Sequence, residues 1–320
     1  MMGLGGLIVT GSALASGIPG DAAGYNVFIF DHGNFVSENT DTMGDLAAGG
    51  NVMLMNYSVA AGINGNASAS PNPARLVVGG NLTAQNGGVG MNQAGTIYTN
   101  GTTNLTSFTA TGGVKAQNLI SSFTADQTLY TNLATSLGSL AANGSAVMGA
   151  GNSLTITGTS SGLNVIDLTG ANLSTYQTIN INAPTGSTVL INVSGTSAAF
   201  NSNGQVFENG SSTGALDASV LFNFFAATSV NLGSRDPYGS VLAPLAGVVG
   251  SNGQMHGQLI AGSYGGGSIT DGTDTTQFDN VLFTGTIPTP LPASVWLLLS
   301  ALCGIGLRAR AGRSAPLAQS

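Results

Sequence analysis

The chain has 320 residues, a formal net charge of −7 at pH 7, 49 glycines, 42% hydrophobic residues and only 6% charged ones. A chain of this length can bury a core without disulfide or metal staples, and its lone cysteine, Cys303, excludes a disulfide framework and a thiolate zinc site. All thirteen acidic residues fall between Asp21 and Asp279 beside Arg75, Lys115 and Arg235, so that stretch carries a formal −10 and repels phosphate backbones; no nucleic-acid partner is expected.

Residues 1–15 are apolar and end Ala13-Leu14-Ala15, a signal-peptidase pattern before Ser16. A basic leader region is missing, so the stretch reads as a truncated signal peptide, with a first strand as the other reading. Gly24 to Phe30 follows, and its aromatic and β-branched content predicts a strand. Leu46-Ala47-Ala48-Gly49-Gly50-Asn51-Val52 then aligns with Leu76-Val77-Val78-Gly79-Gly80-Asn81-Leu82 at an offset of thirty, and Asn56 aligns with Asn86. Gly239-Ser240-Val241-Leu242-Ala243 aligns likewise with Gly257-Gln258-Leu259-Ile260-Ala261 at an offset of eighteen. Short aliphatic strands repeating between Gly-Asn turns predict stacked solenoid coils. Eighteen residues suit one turn of a parallel β-helix, and thirty suit one turn with an insertion.

Between residues 116 and 141 the pattern changes. Leu129, Tyr130, Leu133, Leu137 and Leu140 recur at helical spacing, Thr124 to Gln127 offers a cap, and Asn143-Gly144 a stop. One α-helix flanking the sheet is predicted there. Strands resume at Ser153–Thr157, Leu163–Leu168, Thr178–Asn182 and Ser187–Val193, several with period-two alternation.

No catalytic or metal pattern in the sequence is complete. Gly158-Thr159-Ser160-Ser161-Gly162 matches the nucleophile-elbow pattern, but a strand rather than a helix is predicted after it. His32 and His256 have no ligand cluster in sequence and read as exposed loop residues. Gly87 to Asn92 approaches a calcium-binding nonapeptide, in one copy and without aspartate. Asp271, Asp274 and Asp279 are a weak calcium candidate through oxygen ligands; a solvated turn is the plainer reading. Otherwise no cofactor is expected. Arg235-Asp236 is the one adjacent charge pair to offer a polysaccharide-active enzyme.

The stretches Gly24 to Phe30, Leu46 to Tyr57, Leu76 to Leu82, Val189 to Ser197, Leu221 to Phe224, Gly239 to Pro244, Gly257 to Ser263 and Phe283 to Gly285 resemble the choice-of-anchor A domain of bacterial surface proteins. The resemblance covers nearly all of residues 21–285. It implies a right-handed parallel β-helix flanked by a helix, similar to the ice-binding-protein fold, and an adhesive role.

The tail completes the reading. Pro288, Pro290 and Pro292 disfavour helix. The uncharged run Leu291 to Leu307, carrying Trp296, could cross a bilayer as a helix of roughly 26 Å. Arg308, Arg310 and Arg313 follow and mark a cytoplasmic end. This order resembles the PEP-CTERM sorting signals, in a form where Pro288-Thr289-Pro290-Leu291-Pro292-Ala293 stands for the Pro-Glu-Pro motif and eight residues extend past Gly312. The resemblance implies processing by an exosortase, with transient inner-membrane anchoring followed by the cell surface or matrix of a Gram-negative bacterium. The expected organisation is residues 1–15 as leader, 16–285 as β-solenoid and 286–320 as sorting tail. The expected function is a non-enzymatic adhesin contacting exopolysaccharide, biofilm or cell-surface ligands; an ice-binding protein on the same fold is the alternative, and an enzyme the least favoured.

Overall fold

The computed structural model describes residues 12–30, 33–64, 74–200, 205–210, 214, 216–234, 236–266 and 274–290. The chain divides into a unit Ala15–Ile287 and a second made of Met1–Leu14 with Pro288–Ser320. Two short strands, Ser12–Ser16 and Thr286–Pro290, pair with each other. The leader reading therefore meets a strand at its last residues, while residues 1–11 lie outside the described part. Pro288 and Pro290 sit in an extended strand, as their fixed φ favours. The expected membrane helix at 291–307 lies wholly outside the described residues, and among those described no helix is long and apolar enough to cross a membrane.

The main unit is built of parallel coils. Leu46–Ala48 pairs in register with Arg75–Val78, matching Leu46 to Leu76 as the offset of thirty requires. Val241 pairs with Leu259 and Ala243 with Ala261, as the offset of eighteen requires. Both sequence repeats are thus neighbouring coils, and mainly-β solenoid architecture stands as predicted.

The order of coils in space is not the order in the chain. Val27–Ile29 pairs with Leu46–Ala48 on one side and with Leu259–Tyr264 on the other. The chain starts in the middle of the stack and builds outward through Arg75–Val78 and Thr96–Thr99 to Val114–Lys115. It then crosses over and winds back from Leu163–Thr169 through Thr188–Ser194, Val220–Asn223 and Ser240–Val249 to close on its first coil.

The crossing element is α1, Phe123–Gly138. Its start packs by the first coil, where Phe123 meets Phe28, and its end reaches Asn192 and Asn223. Asn223 is three coil steps from Phe28 and Asn192 four, the latter about 19 Å at strand spacing, and sixteen helical residues reach about 24 Å. The helix explains an oddity of composition. Strands such as Leu76-Val77-Val78 are apolar without alternation because both faces are buried. Leu76 and Val78 point into the solenoid core, whereas Val77, Phe28, Leu190, Leu221, Leu242 and Ile260 face the α1 layer.

The predicted helix 116–141 is shorter at both ends. Its cap is Ser122, whose Oγ accepts from Ala125 N at 3.1 Å, so Thr124 lies inside the first turn. Leu129 is exposed, and the buried stripe runs through Phe123, Tyr130, Leu133, Ala134 and Leu137. A second helix, α2 (Gly170–Thr175), is held by a Thr169/Asn172 capping box.

The carbonyls at the end of α1 need donors. Asn192 Nδ2 donates to Leu137 O and Asn223 Nδ2 to Ala134 O, each at 2.9 Å, and Asn223 also donates to Asn192 Oδ1. Asn223→Ala would leave two buried acceptors short. A destabilisation of about 2 kcal/mol is expected in urea denaturation, and a loss within experimental error would refute this role.

Candidate functional site

A second parallel ladder joins residues 52–55 to 82–85 and 103–106. Here the strands alternate. Val52, Leu54, Leu82 and Ala84 are buried, while Thr83, Gln85, Asn104 and Thr106 are exposed and Met53 and Met55 are half-buried. Register sets two outward rows, Met53-Thr83-Asn104 and Met55-Gln85-Thr106, with rungs about 4.8 Å apart.

Columns of asparagine frame these rows. On one side Asn51 N donates to Asn34 Oδ1, Asn81 N to Asn51 Oδ1 and Thr102 N to Asn81 Oδ1, at 2.9–3.0 Å. On the other, Asn56 Nδ2 donates to Asn39 Oδ1 at 2.8 Å and Asn86 Nδ2 to Asn56 Oδ1 at 3.0 Å. Asn39, Asn56 and Asn86 all have φ between 50° and 55°, a left-handed corner that asparagine tolerates better than other residues with a side chain. The Asn56/Asn86 match in the sequence was therefore the trace of one such column. Glu38, the one charged residue in these strands, is buried and accepts from Asn39 Nδ2. Strand Phe35–Glu38 itself is covered, since Ser37 Oγ donates to Asp274 O and Val36 is buried. The open part of the face is uncharged and presents the amide and hydroxyl groups of Thr83, Gln85, Asn104 and Thr106 beside the half-buried Met53 and Met55.

Charge gathers elsewhere. A third ladder runs through the single Tyr238–His256 bridge, Gln254–Met255, Gln277–Phe278 and Asp41–Thr42. The sequence predicts an exposed loop position for His256, and the structure corrects this. Its side chain is 17% exposed, stacks on Tyr238 at 4.2 Å and pairs through Nδ1 with Asp279 Oδ2 at 2.6 Å. Asp279 is distant in sequence, which hid the pair. Asp274 is engaged separately, its Oδ2 accepting from Gly266 N, and Asp271 lies outside the described residues. No group of three metal-ligating side chains occurs among the described residues.

Other sequence candidates take structural places. Gly158 to Gly162 joins strands Ser153–Thr157 and Leu163–Thr169, and Ser160 Oγ accepts from Gly162 N. Of the segment Gly87 to Asn92, all but Asn92 lies within strand Leu82–Met91, and Asn92 begins the turn after it. Arg235 and His32 lie outside the described residues, as do Leu291, Pro292, Ala293, Arg308, Arg310 and Arg313. A groove of about 640 Å³ between α2 and strands Ser197–Ala199 and Ser229–Asn231, lined by Thr169, Ser174, Thr196, Ser229 and Asn231 among others, was not foreseen.

Comparison with known proteins adds three findings. A family model described as "Putative Ice-binding-like adhesive domain" matches residues 18–271. Among solved structures, the chain is similar to an ice binding protein from an Antarctic bacterium, Flavobacteriaceae, at 12% identity and a TM-score of 0.28 over 81% of each chain. No curated protein matches it.

Proposed function

The chain belongs to the family of ice-binding-like adhesive domains, and from that premise we propose that it is a non-enzymatic adhesin whose contact surface is the uncharged face of residues 52–55, 82–85 and 103–106. The observation that supports this is the pair of outward rows between bonded asparagine columns. Such a face offers many weak hydrogen bonds at fixed spacing. It suits a neutral, hydroxyl-rich polymer such as exopolysaccharide on cells or in biofilm. The proline, apolar and arginine order of the tail supports export, exosortase processing and display at the cell surface.

The test is binding of the full chain to polysaccharide from the producing cells. Binding should saturate, and Thr83→Arg with Gln85→Arg should weaken it at least tenfold, about 1.4 kcal/mol, while leaving the melting temperature nearly unchanged because both side chains are exposed. Absence of binding to polysaccharide, cells and abiotic surfaces would sink the proposal. The family description favours ice as a second reading. It would show as thermal hysteresis or inhibited ice recrystallisation, abolished by the same substitutions.

A further inference from the structure

Glu208 ends strand Gln205–Glu208 of a separate four-stranded sheet, and it lies close enough to Tyr238 and His256 to interact with both electrostatically. Titratable groups collect here and at the closure of the stack. Glu208 is fully buried; Oε2 accepts from Leu216 N, and Oε1 has no hydrogen-bond partner. His256 faces Asp279 directly, with Asp217 and Asp236 also acting on it, and its ring lies flat on Tyr238. Asp279 in turn acts on Asp41 of the first coil. Its backbone is part of the closure: Asp279 N donates to Met255 O, and Asn26 Nδ2 donates to both Asp279 O and Gly257 O. The described basic side chains sit elsewhere, Arg75 on Asp45 and Lys115 in the terminal strand Val114–Lys115.

We propose that this cluster is a proton-operated latch: with His256 charged and Glu208 neutral it holds the last coils against the first, and losing those two protons loosens the closure. Glu208, His256, Asp217 and Asp41 all hold their protons more tightly than ordinary side chains of their kind. Burial pushes Glu208 up to about 7; the Asp217 charge adds to this, while the Leu216 and Asp217 amides and the His256 charge oppose it without reversing it. Burial lowers His256, but the Asp279 hydrogen bond and charge outweigh it and the net shift is upward. Asp217 and Asp41 are raised by burial first. For Glu208 the folded state holds its proton more tightly than the unfolded chain, so its contribution is lost as pH rises from the carboxylate range through about 7. For His256 the contribution is complete below the ordinary imidazole value and lost as pH rises through the raised one. The latch is therefore tight at pH 5.5 and loose at pH 8.5.

The test is hydrogen exchange on the full chain at those two pH values, corrected for intrinsic rates. Peptides covering 254–258 and 277–280 should lose at least tenfold protection on going to pH 8.5, while 103–109, three strand steps beyond Asp41–Thr42, keeps its own. Glu208→Gln, which imitates the neutral acid, should hold more of that protection at pH 8.5; Glu208→Gln with His256→Gln should make the closure insensitive to pH. A histidine NMR titration in His32→Gln gives a second readout that needs no destabilised variant: His256 should titrate above an ordinary histidine. Uniform protection across pH in the wild type, an unchanged pH response in the double variant, or an ordinary His256 titration would each overturn the latch.

Discussion

Phe28→Ala should lower the unfolding free energy by about 3–5 kcal/mol, seen as a fall in the urea midpoint without loss of cooperativity. Phe28 is fully buried on the helix side of the first coil. Its ring packs on Tyr25, Phe30, Phe123 and Tyr130 at 5.4–6.1 Å, so one truncation opens a cavity shared by the coil and α1. The neighbouring Tyr130 cannot shift to fill it, because its hydroxyl accepts from Ala22 N and donates to Pro19 O. A loss below 1 kcal/mol would mean that α1 does not need the first coil.

The second large effect is expected at Arg75. Its Nε pairs with Asp45 Oδ2 at 2.9 Å, its backbone N donates to Asp45 Oδ1, and its guanidinium lies 5.1 Å from the Tyr25 ring centre. Asp45 O also accepts from Asn26 N and Val27 N, so one residue ties three successive parts of the first coils. Arg75→Leu removes the cation and leaves a carboxylate whose side chain is only 2% exposed. Breaking a buried pair from one side costs about 3–5 kcal/mol, and the partial exposure of Arg75 reduces this to about 2–3. Burial already raises the Asp45 carboxyl while the arginine opposes that rise. Without Arg75 the acid holds its proton to higher pH, so the deficit should be largest at neutral pH and shrink on acidification. Urea titrations of both proteins at pH 7 and pH 4 check the sign; a deficit that grows toward acid would exclude it.

Much of the coil architecture was readable because a solenoid writes its spatial period into the chain. Neighbouring coils place equivalent residues on one another, so Leu46 over Leu76 and Val241 over Leu259 survive as sequence offsets. The Asn56–Asn86 column was readable for the same reason. The helix was legible through its leucine spacing, but its start was misplaced, because Ser122 and Thr124 are equally good caps in isolation and packing chose the earlier one. The groove beside α2 left no comparable trace, since its Ser and Thr residues match the background of the whole chain.

What the sequence determined by itself is therefore local and periodic: short apolar strands, Gly-Asn corners and one amphipathic helix. Only the tertiary structure decided where the chain closes. Asn26 reaches Gly257 across 231 residues, and no period links them, because the first coil is inserted between coils made at opposite ends of the domain. The pairing of His256 with Asp279 was invisible for the same reason. Parallel strands satisfy one another's backbone groups whatever their order in the chain, so which coil stacks on which is settled by side-chain fit across the closure.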